Sequence, residues 1–207
     1  MYKRQDDDPA GALESAAQAV QIWAVPGFEI VHLYEMLAQA EVHLYTNDPE
    51  QASALLQRSA RPLRRSMMWT LHHVAHKLEY IKARILLQQS LKAGSVPGRR
   101  LKAHLRKLER SPHDFARANG TLLRACLLRQ TAGDDTAQLR YREAAAAFKR
   151  LGMVHLFHTA RAGVLSCSGE PLDEALEALE ALGARNPAAW INCFAPGALA
   201  HPSLETH

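Results

Sequence analysis

Strand-forming residues are scarce in this chain: Val, Ile and Thr together supply only 20 of 207 residues. Sheets need β-branched side chains, so an all-β fold is excluded and a doubly wound parallel sheet is disfavoured. Gly and Pro number only 21, too few for a collagen-like or loop-dominated chain. No run approaches the length of an uncharged apolar membrane span, so no transmembrane helix is expected. The start, Met1 to Asp8, lacks the apolar core of a secretory signal. Cysteines are few as well. Cys126, Cys167 and Cys193 are odd in number and form no C-x-x-C pair, which argues against a disulfide framework and a zinc ribbon. Buried thiols in a cytoplasmic protein are the expectation.

What is abundant is alanine and leucine, 35 and 29 residues, both strong helix formers. Hydrophobic residues at 47% and charged residues at 22% fit an ordinary globular chain rather than a disordered one. An all-α fold follows.

Helix starts recur. Asp8-Pro9 and Asp48-Pro49 each place an acceptor at an N-cap and a proline in the first helical position, with Ala12 and Ala52 at the same offset. Asp134-Asp135-Thr136-Ala137, after Gly133, is a third start without proline. Helix middles recur too: Ala40/Val42, Ala83/Ile85, Ala125/Leu127 and Ala162/Val164 share an Ala-x-aliphatic spacing. Alanine at a fixed place lets paired helix backbones approach closely. The periodicity predicts helices near 9–24, 28–45, 49–62, 66–90, 99–110, 113–131, 135–150, 153–167, 171–183 and 187–194, with Pro62 at a boundary or kink. On the 66–90 helix, Leu71, Val74, Ala75, Leu78, Ile81 and Ile85 share one face, with His72, His73, His76 and Tyr80 opposite. On the 99–110 helix, Leu101, Leu105 and Leu108 form a narrow stripe. Hairpins of this kind cannot bury their apolar faces alone, and stacking solves this. Trp23, Trp69, Trp190, Tyr34, Tyr45 and Phe148 are expected in the core or between repeats, with Trp190 and Phe194 on a cap over the last hairpin.

These repeated starts and alanine marks resemble degenerate tetratricopeptide (TPR) repeats. The resemblance implies a right-handed superhelical stack of antiparallel helix hairpins, a TPR-like solenoid over 6–197 followed by a disordered tail at 198–207. Ala144 to Phe148, Gly152-Met153, Ala160-Arg161-Ala162, Asn186-Pro187 and Ala195-Pro196-Gly197 resemble the C-terminal helical region of large bacterial serine/threonine protein kinases that also carry a signalling ATPase module. That likeness implies a sensor or scaffold role, with any kinase activity upstream. Met1-Tyr2-Lys3-Arg4-Gln5 looks like the translation of a sequencing-library adapter, so residues 1–5 are expected to be a non-native scar on a fragment.

No catalytic motif is present: there is no Gly-rich nucleotide loop, no H-R-D loop, no D-F-G and no phosphate loop. No catalytic residue, metal site or cofactor is therefore assigned. His113-Asp114 reads as a helix cap. His72 and His76, one helical turn apart, suit two ligands of a metal, but the following residue is His73 rather than the glutamate of a zincin, and no third ligand is identifiable. His155/His158 and Cys167 likewise read as structural.

Charge is distributed unevenly. Residues 1–57 carry net −7, residues 58–110 net +12 and residues 111–207 net −1. The basic band comprises Arg58, Arg61, Arg64, Arg65, Lys92, Arg99, Arg100, Lys102, Arg106, Lys107 and Arg110. Its plainest reading is a solvated face that balances the acidic first hairpin. A protein or phosphorylated partner, or upstream domains of the parent chain, comes next, and nucleic acid last, because aromatic interleaving is poor. The expected function is a non-catalytic, cytoplasmic protein-interaction module in signal transduction. The alternative is a nucleic-acid-binding helical regulator using the band.

Overall fold

The computed structural model describes residues 7–22 and 27–199. Among them the chain forms ten α-helices and no strand. They are α1 (Pro9–Ile22), α2 (Ile30–Tyr45), α3 (Pro49–Arg65), α4 (His72–Lys92), α5 (Arg99–Glu109), α6 (Asp114–Ala132), α7 (Asp134–Arg150), α8 (Val154–Ser168), α9 (Asp173–Ala181) and α10 (Pro187–Phe194). A 3-10 turn at Met68–Thr70 leads into α4. Successive helices pack on each other, most extensively α6 on α7 and α7 on α8. Trp23, residues 1–5 and residues 200–207 lie outside the described residues.

The Asx-Pro starts work as caps. Asp8, Asp48 and Asn186 accept hydrogen bonds from the backbone N–H groups of Gly11, Gln51 and Ala189 at 2.9, 3.1 and 3.0 Å. Each satisfies one orphan donor of its first turn. Asp48→Ala should therefore cost about 1 kcal/mol, read as a lower urea midpoint at unchanged slope. Asp134 differs: it opens α7 after Gly133 without capping by its side chain, and pairs instead with Arg129 Nε at 2.9 Å.

Pro62 lies inside α3 and does not end it. Its ring removes the one N–H that would meet the Arg58 carbonyl, close to the helix end, and buried Leu63 still anchors the last turn. The helix predicted from residue 66 begins only at His72. Met67 takes the left-handed region at φ 59° and breaks the run, leaving Leu71 outside the helix and 44% exposed. Trp69 and Tyr34 are exposed too, contrary to expectation, because the turn and the outer face of α2 carry them away from the core. Tyr45, Phe148 and Trp190 are buried as expected.

Ala40, Ala83, Ala125 and Ala162 are all fully buried. They sit on α2, α4, α6 and α8. Gly163, next in line, approaches Tyr141 so closely that a Cβ would lie 2.6 Å from the ring. Gly163→Ala should destabilise by about 1–3 kcal/mol through overpacking, seen as a lower melting temperature.

Two hydrophobic cores meet on α4. Val74, Leu78, Ile81 and Ile85 face the N-terminal core with Leu33, Leu37 and Leu55. Tyr80, Ala83 and Leu87 face the C-terminal core with Leu105, Leu122 and Phe148. Tyr80, expected on the polar side, is buried because α4 has neighbours on more than one face. The end of the chain stitches the two cores together. Helix α10 packs on α2, α8 and α9, so it is more than a cap over the last hairpin. Cys193 belongs to the N-terminal core, Trp190 and Ile191 to the C-terminal core, and Phe194 touches both. Residues 198 and 199 belong to this fold rather than to a tail: Ala198 is fully buried and Leu199 packs on the C-terminal core.

Candidate functional site

The basic band occupies two outer helices. On α3, burial of Ala52, Leu55 and Leu63 leaves Arg58, Arg61, Arg64 and Arg65 exposed. On α5, Leu101, Leu105 and Leu108 are at most 1% exposed. The rest of that surface carries Arg99, Arg100, Lys102, Arg106 and Lys107, with Arg110 just beyond the helix, all exposed. Both helices pack against α4, α3 through the N-terminal core and α5 through the C-terminal core. Among the described residues only Lys107 of these ten forms an ion pair, its Nζ 3.1 Å from Glu79 Oε1. Lys92, at the far end of α4, is held by Glu50 at 3.2 Å and belongs to another part of the surface.

The histidines gather at the start of α4. His76 and His113 have ring centroids 5.1 Å apart, and His72 lies 6.2 Å from His113. Phe115 closes the group, 6.0 Å from His76. Ser111 Oγ accepts the His113 N–H at 3.1 Å and lies 3.0 Å from His76 Nε2, which a neutral imidazole accepts as a hydrogen bond from the hydroxyl. Burial first, then His113 and His72, hold the His76 pKa below the ordinary histidine value, against an opposing pull from Glu79. The three rings do not converge as ligands: no group of three or more His, Cys, Asp or Glu among the described residues could hold a metal. His113 occupies the N-cap of α6 but makes no side-chain cap bond, while Asp114 pairs with Arg117 in the first turn. His155 Nε2 donates to the Leu182 carbonyl, 3.2 Å away, and the ring packs on Trp190. His158 stacks edge-on against Phe157. Burial raises the pKa of Cys167 and pushes Cys126 up to about 12, which disfavours both thiolates.

Sequence reasoning missed Arg84, the one charged residue that is buried in the core among the described residues. It is fully buried, with Nη1 2.9 Å from Glu41 Oε2 and Nη2 2.5 Å from Glu41 Oε1. Its guanidinium stacks over Tyr80 and Phe194, 4.4 and 5.1 Å from the ring centres. Burial pulls its pKa down, but Glu41 and Tyr80 outweigh that and raise it above the usual arginine value. A signal was present: Glu41 and Arg84 fill the middle place of the Ala-x-aliphatic triplets 40–42 and 83–85.

Along α4, Tyr80, Arg84 and Gln88 are spaced one turn apart and meet three successive carbonyls of α10. Tyr80 donates to Phe194 O at 3.2 Å, Arg84 to Cys193 O at 3.2 Å and Gln88 to Asn192 O at 3.3 Å. These are orphan carbonyls of a helix C-terminus, and a buried cation there also suits the helix dipole. Farther on, Arg129 donates to the carbonyls of Gly197 and Ala198 at 3.3 and 2.5 Å. Gly197, at φ +77°, sits 3.2 Å from Leu91 where a Cβ would be. The terminal segment thus covers α2, α4, α6 and α8.

No family model, curated protein or solved structure matches the chain.

Proposed function

We propose that this chain is a non-catalytic helical-repeat interaction module, a TPR-like right-handed stack of antiparallel hairpins. Its docking surface is the basic outer face of α3 and α5, and its partner is an acidic protein segment or an acidic part of the parent chain. The observation that carries this reading is the distribution of cations: nine are exposed on two helices that pack on α4 and a tenth, Arg110, at the end of one of them, and nine of the ten lack an ion pair among the described residues. The face of the even-numbered helices α2 to α8 is taken by residues 186–199, which leaves the outer helices for a partner. Unpaired cations of one sign steer an acidic partner and speed its encounter more than they tighten the complex. The likeness to kinase-associated helical regions adds a sensor or scaffold role in cytoplasmic bacterial signalling to this reading.

The test is fluorescence anisotropy with a labelled Asp/Glu-rich peptide and, in parallel, a labelled single-stranded DNA. The peptide should bind, and charge reversal of Arg99, Arg100, Lys102 and Arg106 to Glu should weaken it by about tenfold or more. Tight DNA binding with a steep salt slope, without peptide binding, would establish the nucleic-acid reading instead. ATP-dependent phosphotransfer by the purified chain would overturn the non-catalytic assignment.

A further inference from the structure

We propose that the cleft between α3 and the connection into α2 is a binding site for a phosphorylated side chain of the acidic partner; this rests on the interaction-module reading above. The cleft has a volume of about 550 Å³ and is lined by Phe28 and Glu29 on one side and by Arg61, Pro62, Arg65 and Ser66 on the other. Arg61 and Arg65 stand one helical turn apart, so they share a face of α3. Both are exposed, and neither forms an ion pair among the described residues. Two planar guanidiniums can grip separate oxygens of one phosphate through paired, charge-assisted hydrogen bonds.

The remaining lining residues favour phosphate over carboxylate. Glu29 is committed to capping α2: its side chain accepts the His32 backbone N–H, and its own N–H donates to His32 Nδ1 at 3.1 Å. Its negative charge still faces the cleft, so a single carboxylate gains little from two arginines opposed by one glutamate. A phosphate carrying close to two charges gains more. Ser66 is also committed, its Oγ donating to Leu63 O at 2.8 Å. Phe28 and Pro62 supply apolar surface for the carbon stem that carries the phosphate. Immediately past Ser66, the turn exposes Met67 at 59%, Trp69 at 47% and Leu71 at 44%. An apolar strip beside an anion site fits a peptide in which hydrophobic residues flank the phosphorylated one.

The experiment is anisotropy on the full chain with a fluorescent phosphoserine peptide library and its unphosphorylated counterpart. Inorganic phosphate serves as competitor, and vesicles containing phosphatidylinositol phosphates form a separate arm. The phosphorylated library should bind about tenfold tighter or more. R61A/R65A should abolish that preference, whereas R99A/R100A should preserve it, with unchanged helical circular dichroism in both. Equal binding of the two libraries, a preference that survives R61A/R65A, or binding confined to vesicles or inorganic phosphate would overturn the proposal. If both libraries bind equally and charge reversal on α5 weakens them, the interaction module stands and the phosphate site falls. If neither library binds while the Asp/Glu-rich peptide does, the interaction module stands and the phosphate site falls; if none of the three binds, both readings fall.

Discussion

Arg84→Met is expected to destabilise the fold by about 3–5 kcal/mol, the cost of breaking a buried ion pair from one side. Three losses contribute. Glu41, whose side chain is only 13% exposed, keeps its charge but loses both guanidinium bonds. The Cys193 carbonyl at the end of α10 loses its donor. The stacking between Tyr80 and Phe194 goes with the guanidinium. The companion variant E41L/R84M removes both charges and should recover part of the loss, because two apolar side chains can replace a buried pair at little net cost. Urea unfolding of the three proteins reads this directly. A change below about 1 kcal/mol for Arg84→Met would mean that the guanidinium is not the fixed point of α10.

Trp190→Ala should cost a comparable amount, about 3–5 kcal/mol. Trp190 is 3% exposed and packs between Phe194, at 4.8 Å, and His155, at 5.1 Å. Its Nε1 has no hydrogen-bond partner among the described residues, so its contribution is packing, and Trp190→Phe should retain much of it. The form of the transition matters as much as its midpoint. Helix α10 joins both cores a second time, beside their seam on α4, so loosening it should weaken their coupling. A broadened or two-step urea curve with a lower apparent slope is the expected signature. A sharp single transition shifted to lower urea would instead show that the α4 seam alone couples the cores.

Most helix boundaries were legible in the sequence because their causes are local. A cap and a proline act within one turn, and Asp8, Asp48 and Asn186 all bond where the dipeptide places them. The exposure of the basic band on α5 was legible for the same reason: a three-leucine stripe leaves the rest of a short helix to solvent. The errors fell where neighbours are distant. Tyr80 looked polar-facing because periodicity assumes one buried face, whereas α4 is packed on more than one. Met67 looked helical because nothing in its immediate surroundings announces a left-handed turn.

Composition and local patterning by themselves determined the helical fold class, the starts of its capped helices, the four buried alanines and the positive charge of residues 58–110. Only the tertiary structure decided where the chain end goes. Helix α10 is fixed by side chains more than 100 residues earlier in sequence, Arg84 on Cys193 among them. It thereby packs on α2, α4, α8 and α9 and turns a buried arginine into its anchor. Helix periodicity repeats every few residues and cannot encode a contact across such a separation. That contact is set by which orphan carbonyls and which apolar surfaces remain to be satisfied once the hairpins have packed.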